Sequence, residues 1–254
     1  MRSHPLDYDI DRQNPNAYLA RGKHLQAAGK TKEARKCFAA ALRLAPQSDE
    51  AHISMGLLEQ HLEDWEAALR CFQRAVHLNP LRAATYLLMG DARSHLGEWT
   101  EAIENYQSAV TLDPGFADAY NNLGAALLIA GSESDAIAAH VQAIEINPDH
   151  VDAHFRLGKL SANLHELETA TGLLEKVLIL DPLHAHAWHE LGRVQEKTGQ
   201  HEKATASYRR SAELNPEIPF TSPDDSPLQN RAPDIAVVSA LRRRCSSIQQ
   251  HPVL

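Results

Sequence analysis

The chain has 254 residues, of which 43% are hydrophobic and 23% charged, and its formal net charge is −8 at pH 7. Three cysteines are too few for a disulfide framework, and an acidic total argues against nucleic acid as the main ligand. The first residues contain no apolar signal segment, and the longest apolar stretch, at residues 125–130, is too short to span a bilayer. These features predict a cytoplasmic protein without a membrane span.

A 34-residue period runs through most of the chain. Six prolines keep this register: Pro46, Pro80, Pro114, Pro148, Pro182 and Pro216. Six glycines keep it as well: Gly22, Gly56, Gly90, Gly124, Gly158 and Gly192. A period of this length is typical of a repeat array, in which each unit packs on its neighbours because it cannot bury its apolar face alone.

Each repeat is predicted to contain two amphipathic helices. In the third repeat, Tyr86 and Met89, and then Ala102 and Tyr106, follow the three-to-four-residue spacing of an apolar helix face. A short polar break separates the two runs, and proline ends the second helix because it lacks an amide donor. The pattern divides the chain into an extension (1–14), six repeats (15–48, 49–82, 83–116, 117–150, 151–184 and 185–218) and a tail (219–254).

This pattern resembles the tetratricopeptide repeat (TPR) family, whose helix-turn-helix unit also has 34 residues. The fourth repeat carries the resemblance most fully, with Tyr120, Leu123, Gly124, Ala136 and Pro148 at the expected places. The resemblance implies an all-α fold, a right-handed α-solenoid of six helix-turn-helix units. It also implies that the chain is a scaffold or adaptor for protein binding.

Four residues depart from the family pattern. Leu174 and His140 stand where the second helix usually carries an aromatic residue, and His52 and His154 stand at the first aromatic position. We interpret them as packed substitutes and not as ligands.

Charge is unevenly distributed along the repeats. The first repeat has seven Lys/Arg and one Glu, whereas the next three repeats together have sixteen acidic residues and four Lys/Arg. Four of the cations are predicted to project from the outer face of the second helix: Lys32, Arg35, Lys36 and Arg43. This basic patch is interpreted either as a solvated end cap or as a docking site for an acidic partner, including the acidic repeats of another copy.

The side of each first helix opposite its packed face is predicted to line a groove. In repeats four to six it carries amide, imidazole and cationic groups: Asn121, Asn122, Arg156, Lys159, Asn163, His189 and Arg193. Such groups suit a peptide backbone or a carboxylate, so a peptide segment of another protein is the predicted partner. The alternative is an ordinary solvated groove. Only Asn122 and Arg156 match the five-residue carboxylate clamp of some TPR proteins, so a chaperone-tail receptor is not predicted.

The sequence offers no constellation typical of catalysis or metal binding. Fifteen histidines are present, but neither an HExxH motif nor a paired CxxC motif accompanies them. A glycine-rich phosphate loop and a GxSxG elbow are also missing from the sequence. We therefore predict a non-enzymatic protein without a metal or a cofactor.

The tail begins with a Pro-rich segment, which predicts a linker without fixed structure. An apolar, β-branched run at residues 234–241 follows, and then three arginines. One interpretation is a capping helix that covers the exposed end of the last repeat. The other is a remnant of the strand that precedes the phosphate loop in TPR-fused bacterial sulfotransferases. In that case the chain would be the recruiting half, or a truncated remnant, of such an enzyme, although the glycine of that loop is missing.

Overall fold

The structure is a computed structural model that describes residues 13–218 and 235–249. All regular secondary structure in these residues is α-helical, in 13 helices. Six helix pairs follow one another: α1 (Pro15–Ala27) with α2 (Thr31–Leu44), α3 (Asp49–His61) with α4 (Trp65–Leu78), α5 (Ala83–His95) with α6 (Trp99–Leu112), α7 (Ala117–Ile129) with α8 (Glu133–Ile146), α9 (Val151–Asn163) with α10 (Leu167–Leu180), and α11 (Ala185–Lys197) with α12 (His201–Leu214). The last helix is α13 (Ile235–Gln249).

This arrangement confirms the predicted all-α class of paired helix-turn-helix units, since the two helices of each pair pack against each other. Each second helix ends two residues before the proline of its repeat, as the missing amide donor requires. The predicted extension up to residue 12 and most of the predicted linker, 219–234, lie outside the described residues.

The turn inside each pair contains one residue with a left-handed backbone. Glycine occupies this position in four repeats, including Gly29 (φ 72°) and Gly131 (φ 83°). Glu63 (φ 60°) and His165 (φ 62°) occupy it in the second and fifth repeats. Residues with a Cβ adopt this conformation at a cost, so these two turns are strained relative to the others.

The core of each pair is built on a contact between the first-helix glycine and the residue sixteen positions later. The Phe38 ring lies on Gly22, and the Tyr106 ring lies on Gly90, where an added Cβ would be 2.5 Å from the ring. His140 covers Gly124 in the same way. Where the covering residue is a ring, a side chain in place of the glycine would occupy part of the volume of that ring.

The helices form two compact units that divide between Pro114 and Gly115. In the first unit, α1 to α6, the Arg35 guanidinium on α2 pairs with the buried Glu59 carboxylate on α3. The second unit contains α7 to α13. In both units, first helices of successive repeats are neighbours: α1 packs on α3, α7 on α9, and α9 on α11.

Helix α13 packs mainly on α8, the second helix of the fourth pair. Its buried side chains are Val237, Leu241 and Cys245, spaced four residues apart. They belong to one apolar cluster with side chains of α8, α9, the α9–α10 turn and α10, which we call the α8 trough: Ile137, Val141, Ile144, Leu157, Leu164 and Leu173. At the edge of the trough, Arg242 donates from Nε and Nη2 to the Glu166 carboxylate over 3.0 and 2.8 Å.

The C-terminal segment is therefore a helix and not a strand, and its main partner is the fourth repeat and not the last one. Val141 distinguishes the fourth repeat from the others. Four other repeats place Gln73, Gln107, Glu175 or Arg209 at the equivalent position, all of them exposed, whereas Val141 is only 2% exposed. Only the fourth repeat thus combines a large apolar residue there with apolar neighbours that a helix can cover.

Candidate functional site

The predicted binding residues of repeats four to six lie on α7, α9 and α11, which are neighbours in the second unit. We call the side formed by these three helices the first-helix face. Each helix is held with its glycine toward the second helix of its pair, which leaves the opposite side of the helix for this face.

A cavity of about 210 Å³ lies between α7 and α9 on this face. Its lining combines apolar, cationic and amide side chains: Ala125, Leu128, Ile129, His140, Phe155, Arg156, Lys159, Leu160 and Asn163. Leu128 is 37% exposed and Ile129 is 56% exposed. Exposed large apolar side chains beside a cavity are typical of a surface that another molecule covers.

Three of the sequence-predicted residues come together at this cavity. Arg156 and Lys159 are exposed, and Asn163 is half-buried. In the part of the chain that the structure describes, neither Arg156 nor Lys159 forms an ion pair. The cavity thus combines apolar walls with two cations whose charge is not neutralised by a neighbouring carboxylate.

His140 closes the cavity from the α8 side. Its side chain is fully buried, and neither ring nitrogen has a hydrogen-bond partner among the described residues. Burial lowers the pKa of His140 to about 3, and the nearby positive charge of Arg156 contributes to this shift. The ring is therefore neutral near pH 7, and the electrostatics of the cavity depend on Arg156 and Lys159.

The other predicted residues lie elsewhere. Asn121 is only 3% exposed, and its Nδ2 donates to Oδ1 of the half-buried Asn122 over 3.4 Å. His189 packs against the Tyr208 ring, and desolvation lowers its pKa. Arg193 is 8% exposed, and its Nη1 donates to Glu190 Oε2 over 2.6 Å.

The predicted basic patch lies in the first unit. Lys32, Lys36 and Arg43 are exposed, and no ion pair involves them within the described residues. Arg35 differs from the other three because it pairs with Glu59. The free charge of the patch therefore comes from three side chains of α2.

Histidines near the repeat boundaries have structural roles. His150 and His184 are N-caps, and each Nδ1 accepts from a backbone amide of the helix that follows, over 3.3 and 3.1 Å. His154 Nε2 lies 2.9 Å from the Pro148 carbonyl, and Trp188 Nε1 donates to the Pro182 carbonyl in the same geometry. These contacts agree with the interpretation of His154 as a packed substitute. The residues described contain no group of three or more potential metal ligands.

Sequence reasoning missed the apolar part of the site. The signal was the Leu128-Ile129 pair, because the other repeats carry small or polar residues at those two positions, for example Gln60-His61 and Ser94-His95. In the sequence, the pair looks like part of the apolar side of its helix. The sequence alone does not show that the two side chains point away from the packed face.

The fold and the cavity define a helical-repeat protein of the kind that binds other proteins. Family models agree with this class: tetratricopeptide repeat models match residues 19–83, 117–150 and 185–218, and a TPR repeat model matches residues 90–131. The chain belongs to the tetratricopeptide repeat family. A sequence search of curated proteins gave no match.

Solved structures with the same fold include three TPR-type proteins. YrrB, described as a TPR protein with an unusual peptide-binding site, is 22% identical, with a TM-score of 0.58 over 72% of this chain and 94% of YrrB. PilF of Pseudomonas aeruginosa is 18% identical, with a TM-score of 0.73 over 80% of this chain and 93% of PilF. MamA is 26% identical, with a TM-score of 0.58 over 64% of this chain and 95% of MamA.

None of the described helices combines the length and the apolar composition needed to cross a bilayer.

Proposed function

We propose that this protein is a non-enzymatic, cytoplasmic adaptor that binds a peptide segment of another protein on the first-helix face of the second unit. One observation carries the proposal: the cavity between α7 and α9 places exposed Leu128 and Ile129 beside Arg156 and Lys159, which have no ion-pair partner in the described chain. An apolar side chain of the bound segment would fill the cavity. A carboxylate next to it would pair with the two cations.

The polar groups at the rim fit a peptide well. An Arg guanidinium can hold a carboxylate with two parallel hydrogen bonds, and the Asn163 amide can pair with a main-chain amide. Truncating one such side chain costs about 1–3 kcal/mol of binding free energy when its partner group is desolvated, and less at an exposed rim. The peptide-binding site described for YrrB supports a peptide as the kind of ligand, although that likeness itself concerns the fold.

The proposal is tested by selecting peptides from a displayed random library on the full chain and measuring their affinities by fluorescence polarisation. Selected peptides are expected to combine a large apolar residue with a nearby Asp or Glu. Arg156→Glu with Lys159→Glu should weaken binding by about tenfold or more. The control is Lys203→Glu with Arg209→Glu, because it makes the same charge change at exposed positions of α12.

The control should retain the wild-type affinity within about twofold, since exposed charges far from a ligand are screened by salt. If the two double variants weaken binding equally, or if the library yields no binder, the first-helix face is not the binding site.

A further inference from the structure

An open groove of about 630 Å³ lies in the first unit, where α2 and α4 flank α3. Its apolar lining includes Ala39 and Leu42 on α2, Met55 on α3, and Cys71 on α4. Leu42, Met55 and Cys71 are half-buried, and Ala39 is exposed. This groove is distinct from the cavity on the first-helix face of the second unit, so a ligand in the groove would be independent of the proposed function.

The groove is the repeat equivalent of the α8 trough. Four of its apolar residues each correspond to a trough residue three repeats later, at a distance of 102 positions. The pairs are Ala39 with Val141, Leu42 with Ile144, Met55 with Leu157, and Cys71 with Leu173. Because the helix pairs repeat the same geometry, the groove in the first unit has the backbone frame of a site that holds a helix.

Side-chain exposure shows what the docked helix changes. In the second unit, where α13 is docked, Leu164 is 5% exposed. The equivalent Leu62 in the first unit is 42% exposed. The acidic residue at the edge of the trough also has a counterpart, since Glu166 corresponds to the exposed Asp64. The first unit thus contains a groove with the backbone geometry of a helix-docking site, and no described helix covers it.

The charges of the two sites differ, and they indicate a different occupant. Arg35 replaces the trough residue Ile137, and its charge is neutralised by Glu59. Arg70 and Arg74 are exposed on the α4 wall, and neither has a carboxylate partner among the residues described. A second copy of α13 is a poor occupant, because it carries three consecutive arginines and no carboxylate that could pair with these cations.

We propose that the groove between α2 and α4 docks an amphipathic helix of a partner protein. The partner helix has large apolar residues at positions i, i+4 and i+8, the spacing of the three buried side chains of α13, and carboxylates beside them that pair with Arg70 and Arg74. Recognition of a helix by its apolar face in a groove follows the usual i, i+4 anchoring, and the flanking charges select the partner.

The test uses two synthetic helical peptides of the length of α13, 15 residues, each carrying three leucines at i, i+4 and i+8. At the positions beside these leucines, the acidic probe has Glu and the basic probe has Lys. Fluorescence polarisation with the full chain at low salt should show that the acidic probe binds at least about tenfold more tightly than the basic probe.

Two groove variants and one matched control locate the binding. Arg70→Glu with Arg74→Glu, and separately Ala39→Trp, should each weaken the acidic probe by about tenfold or more. Both changes are at exposed positions, so circular dichroism should show unchanged helix content. The control is Lys203→Glu with Arg209→Glu, which makes the same charge change at exposed positions of α12, outside the groove.

Binding of the acidic probe by the control within about twofold of wild type supports the groove. Equal loss in the control would show that the probe responds only to net charge, and the proposal would be wrong. It would also be wrong if neither probe binds, if the basic probe binds as tightly as the acidic one, or if binding depends on Arg156 and Lys159 instead.

Discussion

Docking of α13 on the fourth repeat can be tested by replacing Val141 with Gln, the residue found at the equivalent position in the second and third repeats. Gln favours helix as well as most residues do, so α8 itself should be retained. The trough, however, loses a side chain that is 2% exposed in the structure. We expect α13 to leave the trough much more often in this variant, while the six helix pairs stay folded.

The size of the effect depends on the burial of this side chain. Burying a Val side chain contributes about 1.5–3 kcal/mol, and an amide in its place must lose hydration without a partner. Taking about 2 kcal/mol as the loss, the ratio of undocked to docked α13 rises by about 30-fold, since 1.4 kcal/mol corresponds to a factor of ten.

Cys245 provides the assay because it is 3% exposed when α13 is docked. Burial raises the pKa of Cys245 to about 12, so the docked thiol is both inaccessible and protonated. With Cys37 and Cys71 replaced by alanine, the rate of maleimide labelling near pH 8 measures how often α13 leaves the trough. Val141→Gln should increase this rate by about 30-fold.

Glu175→Gln is the control for this measurement, since it changes the same repeat position to the same residue at an exposed site on α10. Its labelling rate should equal that of wild type. The reasoning is refuted if Val141→Gln labels no faster than this control, or if wild-type Cys245 already reacts as fast as in the urea-unfolded chain.

Three more measurements examine the repeat core and its turns. Gly90→Ala should lower the free energy of unfolding by about 1–3 kcal/mol in a urea titration, because the Tyr106 ring is held in place by its hydroxyl, which donates to Asp91 over 2.8 Å; an unchanged midpoint would mean that the ring moves aside. Between pH 7 and pH 5 the free energy of unfolding of the wild type should fall by about 2 kcal/mol through His140, because its folded pKa is lowered to about 3 and below pH 6.5 it is protonated preferentially in the unfolded chain. The His140→Phe variant should not show this part of the fall. Equal pH profiles of the two proteins would contradict the lowered pKa. Glu63→Gly should raise the thermal midpoint, with a gain of about 0.5–1 kcal/mol from relief of the left-handed backbone, and a lower midpoint would show that chain entropy outweighs it.

The repeat pattern was sufficient to predict the helix pairs, because proline, glycine and the apolar spacing act locally and recur six times. The ends of the second helices followed from proline alone. The position of α13 could not be predicted in this way, since it depends on a contact between residues about one hundred positions apart. Val141 was a usable signal, as a large apolar residue at a position that is polar in most repeats.

The candidate site was predicted only in part. Helical periodicity put Arg156, Lys159 and Asn163 on one face of α9, and all three line the cavity in the structure. It also predicted Arg193 as a binding residue, although Glu190, three residues earlier on the same helix, could neutralise its charge. The direction of a side chain on a helix follows from periodicity, but its burial and its partners depend on neighbouring helices that the pattern does not specify.

The contact between the first-helix glycine and the ring above it also determines which of these two residues can be substituted first without a loss of stability. In the sixth repeat, a Cβ at Gly192 would lie 2.8 Å from the Tyr208 ring, so replacing this glycine costs stability unless the ring becomes smaller first. In the fifth repeat Leu174 has taken the place of the ring, and the nearest atom to a Cβ at Gly158 is its Cγ, at 3.1 Å. Alanine at position 158 requires a shift of only a few tenths of an ångström. The glycine of the fifth repeat is therefore the one whose replacement costs least, whereas in the ring-bearing repeats a single substitution at the glycine lowers stability until the ring is substituted too.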